Sequence, residues 1–560
     1  MKKRTLSLVL LSILSFAHSK PLDQIPSGFA KNVILLIPDG MSASSLTLTR
    51  WVHYDGQPMH VDEIASGLVR THTALNIITD SAPAASALAT GYKTEDKIIG
   101  LKPSKTELYG ARSVTDAEHY APAASILEAA KLAGLSTGLI STSEVMHATP
   151  AGFSAHSKHR SNYSDISAQQ VYQFMDVVLG GGFEYLQPNP NGADVSRQRV
   201  DNIDMLDVLR KNNYQVISNL DELVALKPPQ KVWGLFAPQD MQYEIDRPHQ
   251  EIVEPSLAQM TDKAIELLST NSQGFFLMVE GSKIDWVGHS HSIVTQLEEI
   301  KAFDLAVASA LNFAKNRTDT VVLVVTDHGN GGLSIGNMFI NDTYSTIEKD
   351  YFVKTLKNIR YSDLKLAKDI ETFEEINIAN YFLDKTGITL TPEEINALTD
   401  ARATISKKDN YKINNIVSSI INKRSGLAMT TNGHTGEDVT FYAYTNDANH
   451  QLTGTIQNSD IALYMAKALN LDLDITTKKL FVAESEFSSH GLEIKERKTD
   501  KENTFLKVLV NNELFTISEN KNYIIHDKTS EKLVYNGVNV FNETQFFIPE
   551  AAIVLLNKFK

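Results

Sequence analysis

The chain has 560 residues, 42% of them hydrophobic, enough to bury a large core either as several domains or as one α/β unit with insertions. Its formal charge of −14 argues against nucleic acid as a specific partner and describes an acidic protein that needs locally bound positive charge to handle an anion. The lack of cysteine excludes a disulfide framework and any thiolate metal site, so a metal would be held by His, Asp, Glu or hydroxyl groups.

In chain order, Lys2, Lys3 and Arg4 precede a short apolar run over residues 6–16, and Ala17-His18-Ser19 resembles a small-x-small cleavage site. Residues 1–19 therefore read as a signal peptide, which predicts a periplasmic or secreted protein. The run is shorter than the roughly 20 residues that cross a bilayer, and no second candidate follows, so no membrane span is expected. Residues 32–38 form a continuous apolar run ended by Asp39-Gly40, the pattern of a buried strand that delivers an acid at its carboxyl end. Residues 135–142, 275–280 and 321–327 repeat it, with helical stretches between them such as 255–269. The expected fold is α/β, a three-layer α/β/α sandwich around a largely parallel sheet, with ligands at the carboxyl ends of the strands. Residues 20–332 and 432–474 make up this core. Residues 333–431 turn Lys-, Asp- and Asn-rich and helical, with Thr391-Pro392-Glu393-Glu394 as a helix start, and read as an insertion. Residues 475–560 alternate apolar and polar positions around the turn pairs Asn511-Asn512 and Asn536-Gly537, which predicts a small β-rich appendage.

Four segments place metal-type ligands at predicted strand ends. Asp39 follows the first strand, and taken alone it also reads as a turn or cap residue. Thr79-Asp80-Ser81-Ala82-Pro83 opens a small-residue helix; by itself this is a capped helix, yet a Ser at a helix start also sits where the dipole favours an anion. In Glu280-Gly281-Ser282-Lys283-Ile284-Asp285-Trp286-Val287-Gly288-His289, Asp285 and His289 are four apart and share a helix face, so they can grip one cation while Glu280 serves another. His291 is an alternative ligand off that face. Thr326-Asp327-His328-Gly329 puts an acid and an imidazole where a strand runs into a glycine turn. Further on, Asn432-Gly433-His434-Thr435 offers another His between glycines.

Together these segments resemble the alkaline phosphatase family in identity, order and spacing from about residue 31 to 470, as do Gly234-Leu235-Phe236-Ala237-Pro238 and Tyr243-Glu244-Ile245-Asp246-Arg247. The resemblance implies a phosphomonoesterase with two zinc ions and one magnesium ion. Asp285, His289 and His434 would hold the first zinc, and Asp39, Ser81, Asp327 and His328 the second. Asp39, Thr149 and Glu280 would hold the magnesium-type ion. Ser81 would be the nucleophile, and Arg160 would clamp the phosphate as a bidentate fork. His147 and Trp286 stand where some bacterial members carry Asp and Lys, which leaves the identity of the third metal open. The substrates implied are small phosphate monoesters, the insertion matches the position of the family's crown, and a homodimer is the family expectation. The alternatives are a sibling phosphodiesterase or sulfatase, and an idle surface protein that binds through its β tail.

Overall fold

A computed structural model describes residues 22–188, 199, 201–249, 253–373, 375–404, 411–499 and 503–559. The signal-peptide reading of residues 1–19 lies outside the described residues.

The strands in chain order are β1 (Asn32–Pro38), β2 (Ala65–Arg70), β3 (Ser136–Glu144), β4 (Val177–Gly181), β5 (Gln215–Ile217), β6 (Val232–Leu235), β7 (Phe275–Gly281), β8 (Thr320–Val325), β9 (Gly329–Asn330), β10 (Ser334–Ile335), β11 (Leu427–Ala428), β12 (His434–Thr435), β13 (Val439–Tyr444) and β14 (Gly454–Gln457). A 10-stranded sheet orders them β14-β2-β13-β8-β1-β7-β3-β4-β6-β5, and β13 runs antiparallel to both its neighbours. β1 pairs in parallel with β7 on one side and β8 on the other.

All seven residues of β1 are buried, which explains why that strand is apolar throughout rather than alternating. Val33, Leu35 and Ile37 enter the core on one face of the sheet, and Ile34 and Leu36 that on the other. Each such side chain contributes roughly 1.5–3 kcal/mol by leaving water. Helices cover both faces, as the three-layer expectation requires. In register, Ile37 stands beside Glu280 and Leu36 beside Val324, so the carboxyl ends of β1, β7 and β8 finish together at the middle of the sheet.

Five helices, Lys349–Asn358, Asp363–Thr372, Ile378–Thr386, Pro392–Thr404 and Lys412–Arg424, build the helical insertion. Their apolar faces share a core with Leu48, Val52, Ile293 and Leu297 from two helices that flank the sheet. The chain leaves and re-enters through two short antiparallel ladders: β10 with β11, then β9 with β12, which puts His434 opposite Asn330.

Beyond Val482 the chain forms a five-stranded antiparallel sheet and a small three-stranded one. The helix Leu473–Leu480 runs across the expected boundary at residue 474, so the β-rich part starts later than the alternation alone predicts. Asn511 and Asn512, both at positive φ, make the tight turn between strands Thr504–Val510 and Glu513–Ser518. The appendage docks on the core: Asn520 Oδ1 accepts from Gln169 Nε2 at 2.9 Å, and its amide donates to Asp165 at 3.0 Å.

Candidate active site

Asp39, Glu280 and Asp327 arrive together because the strands that carry them are neighbours in register. Gly40 turns the chain away after β1 at φ +71°, a conformation glycine adopts without strain. Its N–H donates to Asp327 Oδ1 at 3.1 Å, and the His328 N–H donates to the same oxygen at 3.0 Å.

Ser81 is the first residue of the helix Ser81–Thr90, every residue of which is buried. Its small side chains let the helix Ala148–Ser154 approach so closely that a Cβ on Gly152 would lie 2.7 Å from the Ala85 Cβ. His147 caps this second helix and Thr149 lies in its first turn. Ser81 is 2% exposed, and its hydroxyl lies 3.3 Å from His328 Nε2.

The imidazoles and carboxylates fall into two overlapping groups, Asp285 with His289 and His434, and Asp39 with Asp285 and His328. In the first, His289 Nε2 is 3.3 Å from Asp285 Oδ2 and 3.2 Å from His434 Nε2, which is itself 3.5 Å from Asp285 Oδ1. In the second, His328 Nε2 is 3.1 Å from Asp327 Oδ2 and 3.7 Å from Asp39 Oδ1. Asp285 Oδ1 also comes within 4.0 Å of His328 Nδ1, so this carboxylate stands between the two groups rather than in the first alone.

The tautomers of two rings follow from their partners. His289 Nδ1 lies 2.6 Å from the Asn432 carbonyl, and His434 Nδ1 lies 2.8 Å from that of Thr79. A carbonyl oxygen only accepts, so each Nδ1 carries the proton and each Nε2 is left as a lone pair facing the cluster. His291 joins neither group; its Nε2 meets the Thr431 carbonyl at 2.8 Å and braces the returning loop.

Burial pushes Asp39 well above the ordinary carboxylate range, and the charges of Asp327, Asp285 and Glu280 push in the same direction. Burial likewise raises Glu280 to about 7, although Ser141 donates to its Oε2 at 2.7 Å and Thr149 faces the same carboxylate. His328 goes the other way; burial opposes its charge, but Asp327 and Asp285 hold it up at about 9. Both oxygens of Asp39 are buried and receive no hydrogen bond from the protein. The carboxylate oxygens left without donors, Asp39 Oδ1 and Oδ2, Glu280 Oε1 and Asp327 Oδ2, together with the imidazole nitrogens form an oxygen and nitrogen donor set that suits zinc- or magnesium-type cations.

Arg160 lies across from this cluster. Its Nη1 bonds both carboxylate oxygens of Asp80, at 2.6 and 2.7 Å, and its Nη2 lies 3.1 Å from His147 Nε2. The His147 ring in turn meets Trp286 in a T-shaped contact, with ring centroids 5.5 Å apart. Asp80 occupies the cap position of the Ser81–Thr90 helix, but its side chain makes no cap bond and is turned toward Arg160. Sequence reasoning missed this partnership and also the bond from Asn330 to Asp285 Oδ1, at 2.6 Å. The one available signal was that Asp80 precedes Ser81 and that Asn330 lies two residues after His328.

A largely parallel sheet whose central strand ends gather carboxylates and imidazoles around one buried hydroxyl defines a metal-binding α/β enzyme. The family profile for alkaline phosphatase matches residues 30–471. Alkaline phosphatase 3 of Bacillus subtilis is 33% identical over 461 residues, covering 80% of this chain and 91% of the relative. The cold-active alkaline phosphatase of the psychrophile Shewanella sp. superposes with a TM-score of 0.65 at 30% identity, covering 78% of this chain and 99% of that one. For the Thermus thermophilus alkaline phosphatase the TM-score is 0.68 at 24% identity, over 80% and 94% of the two chains, a likeness of fold. The chain belongs to the alkaline phosphatase family and is a metal-binding phosphatase. Among the described residues no helix is long and apolar enough to cross a membrane.

Proposed function

We propose that the protein hydrolyses small phosphate monoesters in two steps through a phosphoserine on Ser81, releasing an alcohol and then inorganic phosphate. The observation that carries this reading is the position of the Ser81 hydroxyl, 3.3 Å from His328 Nε2 on one side and next in sequence to the Asp80 that holds Arg160 on the other.

Asp285, His289 and His434 would hold one zinc ion; Asp39, Ser81, Asp327 and His328 a second; and Asp39, Thr149 and Glu280 a magnesium-type ion, with His147 and Trp286 close by. When bound, these cations supply Lewis-acid stabilisation of the serine alkoxide and of the departing oxygen. Arg160 pairs with the equatorial phosphoryl oxygens, and Asp80 fixes the plane of its guanidinium. The start of the helix Ser81–Thr90 adds its partial positive charge behind the nucleophile. Ser81 gives up its hydroxyl proton to solvent, attacks phosphorus in line and displaces the alkoxide oxygen toward His289 and His434, where it takes a proton from water and leaves as the alcohol. Water entering from that same side then cleaves the serine–phosphorus bond and frees both Ser81 and phosphate.

The leader read in residues 1–19 supports export to the periplasm or beyond, and family membership supports a homodimer. Ser81→Ala in purified protein is expected to abolish turnover and the trapping of radiolabelled phosphate on the chain in acid quench; hydrolysis at the parental rate would reject the nucleophile. Relative rates on a monoester, a diester and a sulfate ester separate this activity from that of sibling phosphodiesterases and sulfatases.

A further inference from the structure

A cavity of 520 Å³ opens beside His289, between the α/β core and the helical insertion. Three aromatic rings converge on it: Tyr243 and Trp286 from the core and Tyr411 from the insertion. The core pair is fixed from behind by a cation. Lys283 Nζ lies 4.0 Å from the centre of the Tyr243 ring and 5.6 Å from that of Trp286, and Asp240 balances its charge at 2.6 Å. Tyr411 is 58% exposed at the mouth. Asn415 and Asn432 add amide groups to the wall, and no Lys, Arg, Asp or Glu lines it.

The location of the cavity decides what it can take. Trp286 touches His147, which touches Arg160, and His289 lines the same cavity. A phosphoryl group held between Arg160 and Ser81 therefore has the cavity on its leaving-group side. Beyond His289 the wall offers a charged leaving group no side-chain counter-charge, and a small alkyl group leaves the cavity mostly unfilled. A planar, uncharged ring system with hydrogen-bonding edges fills it, with stacking on the rings and its edges toward the amides. The volume lies in the range of pockets that enclose ligands of nucleoside size.

We propose that this cavity is a leaving-group subsite that favours phosphate monoesters whose alcohol is a nucleoside. The inference rests on the phosphomonoesterase reading and adds a preference that the phosphoryl contacts alone do not supply. Adenosine 5′-monophosphate and ribose 5-phosphate isolate that preference, because both expel a primary 5′ alkoxide and only the first carries a base.

The test is the ratio of their kcat/KM values in the metal-loaded enzyme. Stacking of one base corresponds to a ratio of about fivefold or more in favour of the nucleotide. Tyr411→Ala is expected to bring the ratio toward one, and Tyr411→Phe, which keeps the ring, to preserve it. Saturation-transfer NMR should show contact between the protein and the base protons of adenosine, weakened in the Tyr411→Ala, Trp286→Ala double variant. Equal kcat/KM for the two esters, or a ratio untouched by Tyr411→Ala, overturns the subsite and leaves the phosphatase standing. Failure to release phosphate from either ester overturns the phosphomonoesterase reading, and absence of the adenosine contact then removes the subsite as well.

Discussion

Arg160 and Asp80 meet as a paired ion contact, with Nη1 at 2.6 Å from one carboxylate oxygen and 2.7 Å from the other, one residue ahead of Ser81. The carboxylate restrains a long side chain that would otherwise lose rotamer freedom on binding phosphate. Arg160→Ala removes charge-assisted bonds, each worth about 1.5–3 kcal/mol, so kcat/KM is expected to fall about 10- to 100-fold. The inhibition constant for inorganic phosphate should rise in parallel. Asp80→Asn should show the same signs with a smaller effect, read from KM and phosphate inhibition.

Gly40 has no room for a side chain. A Cβ there would lie 2.7 Å from both the Cα and the Oδ1 of Asp285, and the backbone sits at φ +71°. Gly40→Ala is expected to displace Asp285, with overpacking and strain costing about 1–3 kcal/mol. Elemental analysis should find less metal per chain than in the parent. An unchanged metal content together with parental activity would refute the assignment of Asp285 to the centre.

Asp39 destabilises its own surroundings unless a cation joins it. Its folded-state pKa is raised above the ordinary 3.8 by burial and by the neighbouring carboxylates. An acid raised in this way opposes folding increasingly as pH climbs past its unfolded value. In chelator at pH 8, Asp39→Asn is therefore expected to melt at a higher temperature than the parent, by scanning calorimetry. With metal restored the order should reverse, because the parent gains binding free energy that the variant lacks.

His156 introduces a different pH dependence, four positions before Arg160. Its ring is buried between the Gly100 carbonyl at 2.8 Å and the Glu128 carboxylate at 3.0 Å. Burial opposes its charge, but Glu128 outweighs that and holds its pKa above the ordinary 6.5. The pair's contribution is complete below 6.5 and fades as pH rises through the folded value. Urea unfolding of parent and His156→Gln should differ by about 1–3 kcal/mol at pH 6 and by less at pH 9. A gap that widens with pH would contradict this sign.

Much of the site could be read before any coordinates. The apolar run of residues 32–38 ends at Asp39 because β1 is buried on both faces, so composition alone marks its carboxyl end. The four-residue spacing of Asp285 and His289 puts them on one face of the helix Lys283–His289, a local property of any α-helix. By contrast, no local pattern places His434 at the site. Its place depends on the β9–β12 ladder that closes behind the whole helical insertion.

The sequence by itself determined which residue types stand at strand ends and helix starts, because burial and helical periodicity act over a few neighbouring residues. Tertiary structure alone decided that β1, β7 and β8 are adjacent, that Asp285 stands between two groups, that His291 turns away to Thr431, and that Asp80 faces Arg160 rather than its own helix. These are contacts between residues far apart in the chain. They are set by strand pairing and by the packing of small side chains, which a local pattern does not encode.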